Sequence, residues 1–160
     1  MKTFKDFTSL AQSFKAKPTV DNTATKKDGP RAGLLPYYIK DNEIYIAFMV
    51  PSNPKFGGDK PQIAKGHIEP GYTAIETAIK EGHEELGYIH QHHYDVRLLW
   101  NDARTNIAWY FVKVDDTTLD KHCWETKQVV WIEINKAEKT IREWQRIVIK
   151  VLKRRLGLSR

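Results

Sequence analysis

The sequence predicts a single α/β domain, because strand-like runs bracket one strongly amphipathic helix and a second helical stretch closes the chain. Three observations carry this. GLLPYYI (33–39) and EIYIAFMV (43–50) are apolar, β-branched and aromatic runs joined by a short DN turn, which is a hairpin signal. Residues 72–86 repeat apolar side chains at helical spacing, with acids on another side. A chain of 160 residues is one ordinary domain, long enough to bury a core without disulfides or structural metal.

In chain order, Phe4, Phe7, Leu10, Ala11 and Phe14 suggest one short amphipathic helix. KPTVDNTATKKDGP (17–30) is polar, proline-bracketed and aperiodic, and reads as a linker. The expected organisation is therefore 1–30 as short helix plus linker and 31–160 as the folded domain. After the hairpin, a Gly/Pro/Asn/Lys loop from Pro51 to Pro61 leads to a short strand ending near Lys65. The amphipathic helix follows. Strand signals recur at about Tyr94–Trp100, Asn106–Val114 and Gln128–Ile134. Ile141, Trp144, Ile147, Val148, Val151 and Leu152 then predict a C-terminal helix ringed by Arg142, Arg146, Lys150, Lys153, Arg154 and Arg155. Strands and helices in this order permit several topologies.

Composition narrows the function. The lone Cys123 excludes an internal disulfide and fits a reducing compartment; a small buried hydrophobe is its simplest role. No apolar run approaches the roughly 20 residues of a membrane span, and the N-terminus lacks the apolar core of a secretory signal. A cytoplasmic protein with no membrane partner is expected. The net charge of +6 is uneven: residues 136–160 carry nine Lys/Arg and two Glu, leaving 1–135 at −1. That basic end is expected to be a docked helix with a solvated face, or to steer anionic nucleotides or RNA by its field.

The most specific segment is GHIEPGYTAIETAIKEGHEELGY (66–88). At roughly 100° per residue, Glu81, Glu84 and Glu85 fall in one arc, while Ile75, Ala78, Ile79, Gly82 and Leu86 fill a separate, core-facing arc. Glu76 and Lys80 are spaced as a surface pair, whereas the three acids have no basic residue at helical spacing. Like charges this close repel unless a cation sits among them. Carboxylate oxygens suit magnesium or manganese, which in turn hold phosphate oxygens.

This segment resembles the Nudix hydrolase signature: Gly, five of any kind, Glu, seven of any kind, then Arg-Glu-aliphatic-any-Glu-Glu-any-Gly-aliphatic. Gly66, Glu81, Glu84, Glu85 and Gly87 stand at the signature's intervals. Tyr72 and Lys80 replace its first Glu and its Arg, a pair that in the family steadies the loop against the helix, and a contact between the Tyr hydroxyl and Lys80 would serve instead. Gly82 replaces an aliphatic, at a cost of up to about 1 kcal/mol in helix propensity, and Tyr88 replaces the last one. The wording AKGHIEPG, ETAIKE and EE, with AWYFVKV and VVWIEI downstream, is similar to the diadenosine tetraphosphate hydrolases. The opening MKTFKDF is similar to N-termini of T4-like bacteriophage proteins, so a phage-encoded protein acting in host cytoplasm is an expectation.

The resemblance implies a Nudix-type α/β/α sandwich with a mixed β-sheet, and a Mg2+- or Mn2+-dependent pyrophosphohydrolase. It implies Glu84 and Glu85 as main metal ligands, the carbonyl of Gly66 as another, and Glu81 as ligand or general base. Glu125, on a later segment, is the second candidate base. Lys65 and His67 would face phosphates, with Lys65 the better charge clamp, and Arg31 could reach one. His90, His92 and His93 lack a matching acid or Cys at zinc spacing and read as a polar loop. Tyr37, Tyr72, Trp100 and Tyr110 are candidates for stacking on a base, with core packing the simpler role of each. Expected substrates are dinucleoside polyphosphates, then ADP-ribose and FAD-type compounds, then capped or triphosphorylated RNA 5′ ends. A catalytically silent nucleotide or RNA sensor is the alternative of another class.

Overall fold

The computed structural model describes residues 29–56, 58–116, 119 and 125–158. The expected N-terminal helix and most of its linker lie outside the described residues, as does Cys123. Among the described residues there are six strands and three α-helices: β1 (Arg31–Lys40), β2 (Glu43–Pro51), β3 (Ala64–His67), α1 (Ala74–Leu86), β4 (Arg97–Asp102), β5 (Ile107–Lys113), β6 (Thr126–Glu133), α2 (Ile134–Thr140) and α3 (Arg146–Arg155). They form a mixed sheet in the order β4-β5-β1-β2-β6, with β3 pairing on β1. β1 and β5 run parallel, and every other pairing of named strands is antiparallel. The predicted α/β/α sandwich with a mixed sheet is the observed fold.

The hairpin forms where expected. Asp41 and Asn42 both adopt positive φ (51° and 62°), the backbone a two-residue connection needs to match the twist of its strands. Neighbouring side chains on β1 then point to opposite faces. Ala32 and Leu34 pack with Ala74, Ile75, Ala78 and Ile79 of α1. Leu35 and Tyr37 pack with Ile134, Ile141, Val148, Ile149 and Leu152 on the other face. Helices thus cover both sides of the sheet, and every residue of the predicted core stripe of α1 is buried.

Two close approaches shape this core. A Cβ on Gly82 would lie 2.5 Å from Leu34 Cδ2, so the small residue lets the helix settle onto β1. Burying a leucine side chain contributes about 1.5–3 kcal/mol, which outweighs the roughly 1 kcal/mol of helix propensity that glycine forgoes. A Cβ on Gly33 would lie 2.6 Å from Trp109 and 2.9 Å from the Ala64 carbonyl.

The single C-terminal helix predicted from residues 141–155 is not what forms. α2 ends where Ile141 turns extended (ψ 171°), a turn of 3₁₀ helix spans Glu143–Gln145, and α3 begins at Arg146. β-branched Thr140 and Ile141 are poor helix continuers. Tertiary bonds favour the break: Arg142 N–H donates to the Pro61 carbonyl (3.1 Å), and Ile63 N–H donates to Oε1 of fully buried Gln145 (2.8 Å). β4 also starts later than predicted, at Arg97, and β6 earlier, at Thr126. Among the described residues no helix is long and apolar enough to cross a membrane.

Gly33→Ala should destabilise the fold by about 1–3 kcal/mol, since a fully buried indole and a strand carbonyl must both yield. Urea denaturation checks this; an unchanged midpoint would show that Gly33 carries no packing constraint.

Candidate active site

Helix α1 is fixed at both ends. Thr73 caps it, its hydroxyl accepting from Glu76 N–H (3.2 Å) while Glu76 Oε1 accepts from Thr73 N–H (3.0 Å), a reciprocal capping box. Gly87 ends it in the left-handed region (φ 74°), and its N–H bonds to the His83 carbonyl (3.0 Å). The predicted Glu76–Lys80 surface pair is therefore absent: Glu76 is 4% exposed and committed to the cap. Lys80 instead pairs with Glu69 (3.6 Å) and lies over the Tyr72 ring, 5.2 Å from its centroid. The exchanged positions 72 and 80 thus still meet, through the ring face and not the hydroxyl.

The acid arc faces strand β3. Glu85 is buried, and its Oε2 accepts from the Lys65 backbone N–H at 3.0 Å. The Glu81 carboxylate lies against Gly66, where any Cβ would overlap it. Glycine at 66 admits this close approach, and a Cβ there would displace the Glu81 carboxylate. Glu84 is half-buried beside them. Burial, then repulsion from Glu84, pushes Glu81 up to about 7. Burial and repulsion from Glu81 push Glu85 up to about 8, against the opposing pull of Lys65. An ordinary solvated acidic face would show neither effect.

Glu125 stands at the start of β6, exposed, and adds to the negative field at both Glu81 and Glu85. It is positioned by its neighbour Thr126, whose buried hydroxyl donates to the Glu85 carbonyl (2.9 Å), and by its own carbonyl, which accepts from Ser52 N–H (2.8 Å). All four carboxylates therefore share one region. Among the described residues no three such groups are already gathered as a metal cage. The donor chemistry nonetheless suits a hard divalent cation, since mutually repelling carboxylate oxygens beside a glycine backbone are what such an ion neutralises.

Of the basic candidates, Lys65 and Arg31 are brought together, and Arg142, missed as a site residue by sequence reasoning, joins them. Their cationic groups stand 5.6, 5.8 and 5.6 Å from the ring centroid of Trp144. His67 pairs across the ladder with Arg31 and is exposed.

A family model described as the NUDIX domain matches residues 36–152, well over half of the chain. The chain belongs to the Nudix hydrolase family. Among solved structures, the binary complex of a C. elegans Ap4A hydrolase is similar at 19% identity and TM-score 0.60, covering 80% of this chain and 97% of that one. The NUDIX domain of Shewanella oneidensis NrtR, complexed with ADP ribose, is similar at 14% identity and TM-score 0.67, covering 97% and 99%. RenU, a Nudix hydrolase from M. Smegmatis, is similar at 12% identity and TM-score 0.60, covering 81% and 85%. No curated protein matches the chain in sequence. At these identities the structural likenesses speak for the fold.

In this Nudix hydrolase the remaining sequence candidates take structural places. Tyr37 is buried and stacks on Phe111 (6.2 Å), and Tyr110 is buried in the core. Trp100 carries Arg104 over its ring (5.7 Å). His90 is buried against the Tyr88 hydroxyl (2.7 Å), and His93 bonds Asp115 (2.6 Å), so the histidines form no common cluster.

The two raised carboxylates set a pH signature. A carboxyl whose pKa is higher folded than unfolded stabilises the fold at low pH, and that contribution is lost as pH rises through the folded value. Without divalent ions, the melting temperature should therefore fall as pH rises from about 4.5 toward about 8. Added Mg2+ or Mn2+ should raise it more at the alkaline end, where protons no longer compete for the acids. Glu85→Gln should flatten both trends in a fluorimetric melt; identical slopes in variant and parent would refute the assignment.

Proposed function

We propose that this Nudix hydrolase cleaves a phosphoanhydride bond in a nucleoside diphosphate derivative, a dinucleoside polyphosphate foremost, with the help of Mg2+ or Mn2+. The observation that carries the reading is the pressing of Glu81 and Glu85 against the Lys65–Gly66 backbone of β3, with Glu84 and Glu125 alongside. Concentrated, largely desolvated negative charge against a glycine backbone is the environment in which a divalent ion and a phosphate meet.

Glu84 and Glu85 would hold the cation, with Glu81 and the Gly66 carbonyl as further donors. Once bound, it supplies charge neutralisation on the phosphates and a more acidic attacking water. The chain's own groups do the rest. A general base must reach the attacking water, and a cation bound among these acids would lower their proton affinity; by its position against Gly66, the first candidate is Glu81. Its carboxylate would take the proton of the attacking water; Glu125, exposed at the head of β6, is the alternative acceptor. Lys65 and Arg31 would draw phosphate oxygens by charge, and His67 flanks them.

The dinucleoside preference is supported by the AKGHIEPG and ETAIKE wording and by the likeness to a fold named as an Ap4A hydrolase. ADP-ribose and FAD-type substrates come second, supported by the likeness to a domain complexed with ADP ribose. The basic residues of α3 support triphosphorylated RNA ends as a third. Retention of Glu84 and Glu85 argues against a silent sensor.

With magnesium or manganese, product analysis should show turnover of diadenosine polyphosphates ahead of ADP-ribose, FAD, nucleoside triphosphates and 5′-triphosphorylated RNA. Turnover of ADP-ribose alone would overturn the substrate, and nucleotide binding with no turnover would favour the sensor. Glu84→Gln should lower the rate by about two to four orders of magnitude while leaving the fold intact; near-wild-type turnover would remove Glu84 from the metal site.

A further inference from the structure

The turn between α2 and α3 brings two residues to the site that lie outside the signature segment. Arg142 and Trp144 sit on the face of the sheet opposite α1, and Trp144 packs at 6.3 Å from the fully buried Trp109. Around that one indole stand three cations from three separate elements: Arg31 at the head of β1, Lys65 in β3 and Arg142 in the turn. Among the described residues, neither Lys65 nor Arg142 has a carboxylate within salt-bridge distance of its cationic group. An aromatic face attracts each cation weakly, while the cations repel one another. An anion placed among them would turn the repulsive interactions into attractive ones.

The arrangement is built rather than loose. Arg142 N–H is bonded to Pro61 and Gln145 to Ile63, so the turn is fastened at two points to the segment that leads into β3. Gly33 pairs with Lys65 in the ladder and has no side chain, which admits the Trp109 ring beneath. Alternation along β3 sets Gly66 toward the acids and Lys65 toward Trp144. The Lys65 N–H bond to Glu85 places the cations just across one strand from the carboxylates.

We propose that Arg142, steadied by Trp144, completes with Lys65 and Arg31 a phosphate-binding subsite that grips an oligophosphate beyond the acid-held phosphate. The subsite rests on the reading of the protein as a nucleotide pyrophosphohydrolase for its role, though not for its chemistry. Arg142 binds; it does not take part in bond breaking. The guanidinium supplies paired donors for two oxygens of one phosphate.

The full chain is titrated with inorganic tripolyphosphate in the presence of a chelator, by calorimetry. Arg142→Ala should raise Kd about tenfold, the loss of one charge-assisted contact. Arg142→Lys should recover part of it. In turnover, Arg142→Ala should raise KM with kcat nearly intact for the substrate whose phosphates reach the subsite, a diadenosine polyphosphate or a 5′-triphosphorylated RNA. The substrate whose KM moves names the source of the phosphate. An Arg142→Ala variant with wild-type melting, Kd and KM overturns the subsite, as does a wild type that binds no tripolyphosphate. Should Arg142→Ala lose tripolyphosphate binding in a protein that hydrolyses no nucleotide, the subsite stands and the enzymatic reading falls.

Discussion

The hydrogen bond from the Lys65 amide to the Glu85 carboxylate is the constraint on which the site depends. It joins a four-residue strand to the acid side of α1, and it does so inside the protein. Leaving a buried carboxylate without partners costs several kcal/mol, whereas a bond to a charged group returns about 1.5–3 kcal/mol. One amide does not cover the cost of holding Glu85 and Glu81 together, and their raised proton affinities are the remainder of that cost. The helix stays in place because its other side is buried: Leu34 lies against Gly82, and Ile75, Ala78 and Ile79 against the sheet. The apolar core supplies the free energy that keeps mutually repelling acids in contact.

Strand β3 separates opposite charges by the simplest available device, the alternation of a pleated strand. Gly66 faces α1 and admits Glu81; Lys65 faces the second helical layer and Trp144. A negative and a positive region are thereby held one residue apart, each braced by its own hydrophobic cluster. A polyphosphate needs both, a cation-loaded acid region for the scissile group and fixed positive charge for the rest.

How much of this could be read from residues alone follows from the range of each interaction. The hairpin was legible because Asp41 and Asn42 tolerate positive φ between two β-rich runs, a local matter. The acid helix was legible because its periodicity and its glycine-bracketed entry are both local. The capping role of Glu76 was open to the same local reading, in the Thr73–Glu76 spacing, but the i,i+4 pairing with Lys80 competed with it. The C-terminal break was not legible, because bonds from Arg142 and Gln145 to Pro61 and Ile63 override a smooth apolar periodicity. The gathering of Arg31, Lys65 and Arg142 on one ring likewise has no local signal, since three distant segments supply it.

The same fastening of residues 142–145 onto 61–63 has a consequence for how the protein is made. The bond between Ile63 and Gln145 spans 82 residues, and β1 takes its parallel partner from β5. Such closures come late, because loop entropy is lost before the contacts that repay it are gained. On the ribosome, the acid helix emerges while the turn that carries Arg142 and Trp144 is still unsynthesised. A nascent or prematurely ended chain therefore holds the acids without Arg142, the cation supplied last. The proposed contribution of Arg142 to phosphate binding would arrive only with the last quarter of the domain.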